Sequence, residues 1–124
     1  MSRDIESRRR SERAGRRAET IAAWILRLKA YSVLHRRYAT PFGEIDIIAR
    51  RGQLLVFVEV KRRRQLADAL HSLDRRQCDR IARAAQAFIK RYPATEQLDL
   101  RFDLMAIAGF RHAHVEDAFR PSSC

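Results

Sequence analysis

The stretch Gly43-Glu44-Ile45-Asp46-Ile47-Ile48-Ala49, followed by Arg50-Arg51-Gly52-Gln53 and then Leu54-Leu55-Val56-Phe57-Val58-Glu59-Val60-Lys61, decides how this chain is read. Its two β-branched apolar runs predict strands, and the Arg51-Gly52 turn signal between them predicts an antiparallel hairpin. The second run is apolar on both faces until Glu59, which predicts a strand in the middle of a sheet rather than at its edge. Glu59 and Lys61 are two apart and share one face of that strand, while Val60 points to the other. Two charged side chains closing an apolar central strand are costly to leave without partners. Asp46, which interrupts Ile45, Ile47 and Ile48, is the expected neighbour of Glu59 across the ladder.

Upstream of the hairpin, Val33 to Ala39 predicts another strand, with Pro41 and Gly43 as punctuation. Before it, Ala18, Ile21, Ala22, Ile25, Leu26 and Leu28 form an apolar stripe that predicts an amphipathic helix to about Ala30. Residues Met1 to Arg17 hold seven arginines and three acids, a net +4, and are expected to be a flexible basic arm. Downstream, residues 62 to 72 predict a polar loop. Ile81, Ala84, Ala85, Phe88 and Ile89 then give a helical face, with Ser72 or Asp74 as its cap and Pro93 closing it. Leu98 to Ile107 predicts a further strand, and His112 to Phe119 a short last one. The order α-β-β-β-α-β(-β) predicts the α/β class, a mixed sheet flanked by helices. The expected organisation is an arm at 1–17, a single domain at 18–120 and a tail at 121–124.

The chain has 124 residues, enough for one domain, and 46% of them are hydrophobic, which argues against wholesale disorder. The longest apolar run, Ile21 to Leu26, is far short of the roughly 20 residues that span a bilayer, so no membrane partner is expected. The N-terminus lacks the apolar core of a secretory signal. Two cysteines, Cys78 and Cys124, cannot make a disulfide scaffold or a four-cysteine zinc site. A cytoplasmic location with reduced thiols is the expectation. Lysines and arginines number 26 against 15 acids, a net +11, and all but Lys29, Lys61 and Lys90 of those cations are arginine. Arginine's planar fork suits bidentate phosphate contacts, so a polyanion is the natural partner, and nucleic acid, DNA above all, fits best.

The chemistry follows from the charged residues of the hairpin. Glu19 falls at helical spacing with Ala22, Ala23 and Leu26, beside the packed face of the first helix. Three carboxylates (Glu19, Asp46, Glu59) and Lys61 could therefore converge on one edge of the sheet. Converging carboxylates repel, so a pKa rises or a cation enters. Oxygen ligands without nearby His or Cys favour a hard ion, Mg²⁺ or Mn²⁺. Such an ion in a basic protein suits phosphodiester hydrolysis, in which Lys61 could steer water or neutralise developing charge. Arg62, Arg63 and Arg64, directly after the site, and Arg76 further on are assigned to nucleic-acid phosphates. The plainer alternative for Asp46, Glu59 and Lys61 is a structural ion-pair cluster with arginines. Glu44 is expected to pair with an arginine and Asp103 with Arg101. His112 and His114 are expected to be surface residues, and Cys78 a small, partly buried one.

Asp46, twelve residues, then Glu59-Val60-Lys61 resembles the PD-(D/E)XK nuclease signature, with Phe42-Gly43-Glu44-Ile45-Asp46 in place of Pro-Asp. More closely, the chain resembles the bacterial YraN-like family of predicted endonucleases, which is similar to archaeal Holliday-junction resolvases. The resemblance covers about residues 15 to 120. It rests on Gly43 to Ala49, on Val56 to Lys61 with Arg63, on Arg101-Phe102-Asp103, on Ala118-Phe119, and on Gly15 to Ala22 with Glu19 at the acidic position. It implies a restriction-endonuclease-like αβββαβ core, Asp46 and Glu59 as metal ligands, Lys61 as the catalytic lysine and Glu19 as an accessory acid. Ala18 stands where the family usually has a second glycine, and Gln77 where a lysine is common in the later helix. The expected function is a metal-dependent endonuclease acting on DNA, branched or structured DNA included. A homodimer is expected from size and analogy. The competing expectation is a non-catalytic nucleic-acid-binding module on the same fold, and a third is an interaction protein whose charge serves solubility.

Overall fold

The computed structural model describes residues 2–120, with side chains from Asp4 onward; the expected tail at 121–124, including Cys124, lies outside the described residues. Three strands follow one another as an antiparallel meander: β1 (Ser32–Thr40), β2 (Gly43–Arg51) and β3 (Leu54–Arg62). Two more, β4 (Asp99–Ala108) and β5 (Arg111–Val115), complete a five-stranded sheet in the order β1-β2-β3-β4-β5. β3 pairs antiparallel with β2 and parallel with β4, so it is the central strand, as its two apolar faces predict.

Helices cover both faces. The first, α1 (Ser2–Leu28), lays Ala18, Ala22, Ala23 and Leu26 on Ile47, Ala49, Val56, Val58, Met105 and Ile107. On the opposite face a helix at Arg75–Arg91, here α3, packs Ile81, Ala84, Ala85 and Phe88 on Ile48, Leu55, Phe57 and Phe102. The expected cap is Asp74, whose carboxylate accepts the Gln77 N–H at 2.8 Å while the Gln77 side chain accepts the Asp74 N–H. The mixed α/β sheet flanked by helices agrees with the expected class and is consistent with a restriction-endonuclease-like core. Among the described residues no helix is long and apolar enough to cross a membrane.

Several local features differ from expectation. Where a flexible arm was expected, α1 begins at Ser2, and residues 4–13 form exposed helical turns. Arginine is a good helix former, and a segment anchored by packing at one end propagates its helix without a new nucleus. The expected loop at 62–72 contains a short helix, α2 (Leu66–Leu70), which buries Ala69. Pro93 both follows α3 and opens a 3₁₀ turn, Pro93–Gln97, and the last strand ends at Val115 instead of Phe119. Cys78 is fully buried, and no free thiol occurs among the described residues.

Candidate active site

The β2–β3 ladder runs from Arg51↔Leu54 to Ile47↔Val58 and stops there. One residue further back along β2, the side chain of Asp46 takes over the role of the main chain: its Oδ2 accepts the Val60 N–H at 2.7 Å. The strands part at this point, and the gap is where the expected residues meet. Glu59 is 6% exposed and its carboxyl group is hydrogen-bonded to that of Asp46. Lys61 Nζ lies 3.8 Å from Glu59 Oε1. Burial is the main force on both acids. It raises Asp46 above its ordinary range, although the Val60 N–H pulls the other way. It pushes Glu59 up to about 8, reinforced by the charge of Asp46 and opposed by Lys61 and Arg80. Burial and the mutual repulsion of the two groups thus both favour a proton retained between them.

Glu19 projects from α1 into the same region, but it is already engaged. Arg37 Nε donates to both its oxygens, at 2.7 and 3.1 Å. The flanking pairs Arg36↔Ile47 and Tyr38↔Ile45 place Arg37 opposite Asp46, with a left-handed φ of 53°. The guanidinium is held above its ordinary pKa by the Glu19 hydrogen bond, with the charges of Glu19, Glu44 and Asp46 adding to it. Glu44 itself is exposed and makes no ion pair among the described residues, contrary to expectation.

A hollow of about 270 Å³ brings Glu19, Asp46, Lys61, Arg62 and Arg63 together, with Ser11 and Gly15 of α1 on its rim. The other two arginines assigned to nucleic acid are elsewhere: Arg64 borders a hollow with Arg111, and Arg76 a cleft along α3. Among the described residues no group of three or more His, Cys, Asp or Glu lies close enough to hold an ion. What the site offers is the pair Asp46 and Glu59. A buried and a half-buried carboxylate in contact, both resisting ionisation, are a donor set that a hard divalent cation would relieve. Mg²⁺ commonly binds through one or two carboxylates and keeps several waters, so a pair fits it.

A third buried acid, besides Glu19 and Glu59, is structural. Asp103 is fully buried and accepts from Arg101 Nε and Nη2, both at 2.8 Å, from His114 Nε2 at 2.7 Å and from the Asp117 N–H at 3.0 Å. Burial alone would raise its pKa, but these donors outweigh it and hold Asp103 below the usual carboxylate range. His114, expected at the surface, has a side chain only 1% exposed, because Lys29 Nζ donates to its Nδ1 and Nε2 faces Asp103. Sequence reasoning missed Arg37 and Arg80. A signal for the first was available: a two-residue connection between Thr40 and Gly43 registers residue 37 against residue 46.

A family model described as "Uncharacterised protein family UPF0102" matches residues 18–107. A UPF0102 protein of Nitrobacter winogradskyi is 50% identical over 111 residues, covering 89% of this chain and 94% of that one. One from Mesorhizobium japonicum is 46% identical over 114 residues, 91% of each chain. A third, from Parvibaculum lavamentivorans, is 49% identical over 110 residues, 88% of this chain and 83% of its own.

Proposed function

The chain belongs to the UPF0102 family, and on that premise we propose that it is a metal-dependent endonuclease that hydrolyses phosphodiester bonds in DNA, branched DNA included. The observation that carries this reading is the contact of half-buried Asp46 with buried Glu59 beside Lys61, at the point where a central strand parts from its neighbour. Asp46 and Glu59 would hold Mg²⁺ or Mn²⁺, and the ion would supply Lewis acidity toward the phosphoryl oxygen and a more acidic water. The protein's own groups do the rest. The Val60 N–H fixes the Asp46 carboxylate, and Lys61, its side chain 12% exposed, presents a cation to the anionic reaction centre. Arg62 and Arg63 flank the hollow and are suited to the neighbouring phosphates. Glu19, clamped by Arg37, is an accessory acid that adds negative charge beside the pair. The same reading carries a cytoplasmic location and a homodimer, since a chain this small needs a second copy to hold two strands.

The test incubates the full chain with duplex, single-stranded and branched DNA, with and without Mn²⁺, beside Asp46→Ala and Glu59→Ala. Cleavage that needs the metal and drops about 100-fold or more in both variants is expected. Equal cutting by all three proteins would mark a contaminant and overturn the assignment. Salt-dependent binding without cutting, with or without Mn²⁺, would leave a binding module in its place.

A further inference from the structure

Along α3, away from the carboxylate hollow, runs a larger cleft of about 530 Å³ lined by Phe42, Arg75, Arg76, Asp79, Arg80 and Arg83. Arg76, Arg80 and Arg83 recur at i, i+4 and i+7, which sets them on one helical face. At a rise of about 1.5 Å per residue they cover roughly 10 Å, and their long side chains can fan out from that row to successive phosphates of one strand. The four arginines are exposed, and among the described residues none of them forms an ion pair. Arg37 and Arg101, by contrast, are neutralised by acids. Asp79 is the single acid of the lining, so the cleft is strongly positive.

Phe42 supplies what a merely charged surface lacks. It is 46% exposed at the tip of the β1–β2 connection, and that tip is held tightly. The Phe42 N–H donates to Thr40 Oγ1 at 3.1 Å, and the Thr40 hydroxyl donates to the Gly43 carbonyl at 2.7 Å. Gly43 has a φ of +126°, and a Cβ there would lie 3.0 Å from Arg80 Cδ. The stem of Arg80 thus rests on the backbone of the turn, so ring and arginine row keep a fixed relation. The charge of Arg80 also reaches Glu59.

We propose that this cleft is a subsite for a single DNA strand, in which Arg76, Arg80 and Arg83 hold consecutive phosphates and Phe42 stacks on an unpaired base. It deepens the nuclease reading, on which it rests for what happens at Asp46 and Glu59. A base paired inside a duplex has both faces covered by its neighbours, so the ring selects DNA with unpaired nucleotides, such as a flap or a gap, near the point of cleavage.

Binding in EDTA tests the proposal apart from any cutting. Phe42→Ala is expected to weaken a single-stranded or flapped oligonucleotide about tenfold, and a blunt duplex less than twofold. Arg83→Ala is expected to lower the salt dependence of the single-strand affinity by about one unit of slope. In a Trp24→Phe background, Phe42→Trp fluorescence is expected to be quenched by the flap and unaffected by the duplex. Equal losses for both DNAs, or no quenching, would overturn the subsite, while unchanged denaturation midpoints show that the variants fold. Selective binding with no cleavage under any metal would sink the nuclease reading alone. Normal cleavage with unaltered binding by Phe42→Ala would sink the subsite alone.

Discussion

At Glu59 burial and the adjoining Asp46 carboxylate both oppose ionisation, and a lysine 3.8 Å away only partly offsets them. The folded-state pKa of about 8 lies above the ordinary 4.5. The protonated group therefore stabilises the fold fully below about pH 4.5, and this contribution is lost as pH rises toward 8. Each unit of displacement is worth about 1.4 kcal/mol, so the total is of the order of a few kcal/mol. Asp103 works in the opposite sense: its depressed pKa stabilises the fold above the unfolded carboxylate range, and that stability disappears as pH falls through the folded value. We expect metal-free protein to lose denaturant resistance between about pH 5 and 8. Glu59→Gln should abolish that decline and leave the acid limb intact. A Glu59→Gln profile parallel to wild type would show that Glu59 ionises normally.

Among the elements, α3 and α1 make a useful contrast. Phe88 is buried where α3 meets the sheet, in ring contact with Phe57, Tyr38, His35 and Tyr92. Trp24 on α1 is 59% exposed, with Arg27 over its ring. Urea denaturation should therefore show Phe88→Ala costing about 3–5 kcal/mol and Trp24→Ala about 0.5 kcal/mol or less. A large Trp24 effect would mean that this face of α1 is covered in solution. The elements that could be read in advance are those whose pattern is local: the alternation in β2, the doubly apolar β3, and the stripe and cap of α3. The meeting of Asp46 with Glu59 was legible too, because a hairpin sets its own register. α2 was not, since its Leu66-Ala67-Asp68-Ala69-Leu70 run is too short for a periodic signal. Nor were the partnership of Arg37 with Glu19 and the burial of His114, which join residues far apart in sequence and depend on how α1 and β5 dock.

For the whole molecule the relevant quantity is a net +11 spread unevenly over the surface. Positive side chains face the carboxylate hollow and the α3 cleft, and others line the exposed turns of α1. Residues 4–13 contribute no buried side chain. Deleting residues 2–10 should therefore leave the denaturation midpoint within about 0.5 kcal/mol. The same deletion should flatten the dependence of DNA affinity on salt by roughly one to three units of slope. An unaltered slope would show that these turns do not touch DNA.

The single parallel pair in the sheet has a kinetic consequence. β1, β2 and β3 join through tight connections, whereas β4 reaches β3 only after the chain has passed through α2 and α3. Closing that long loop is the slow kind of step, so the meander should assemble ahead of it. Asp46, Glu59 and Lys61 all ride on the meander. They would thus find one another while still hydrated, and their transfer out of water would fall late in folding, when the helices close over the two faces.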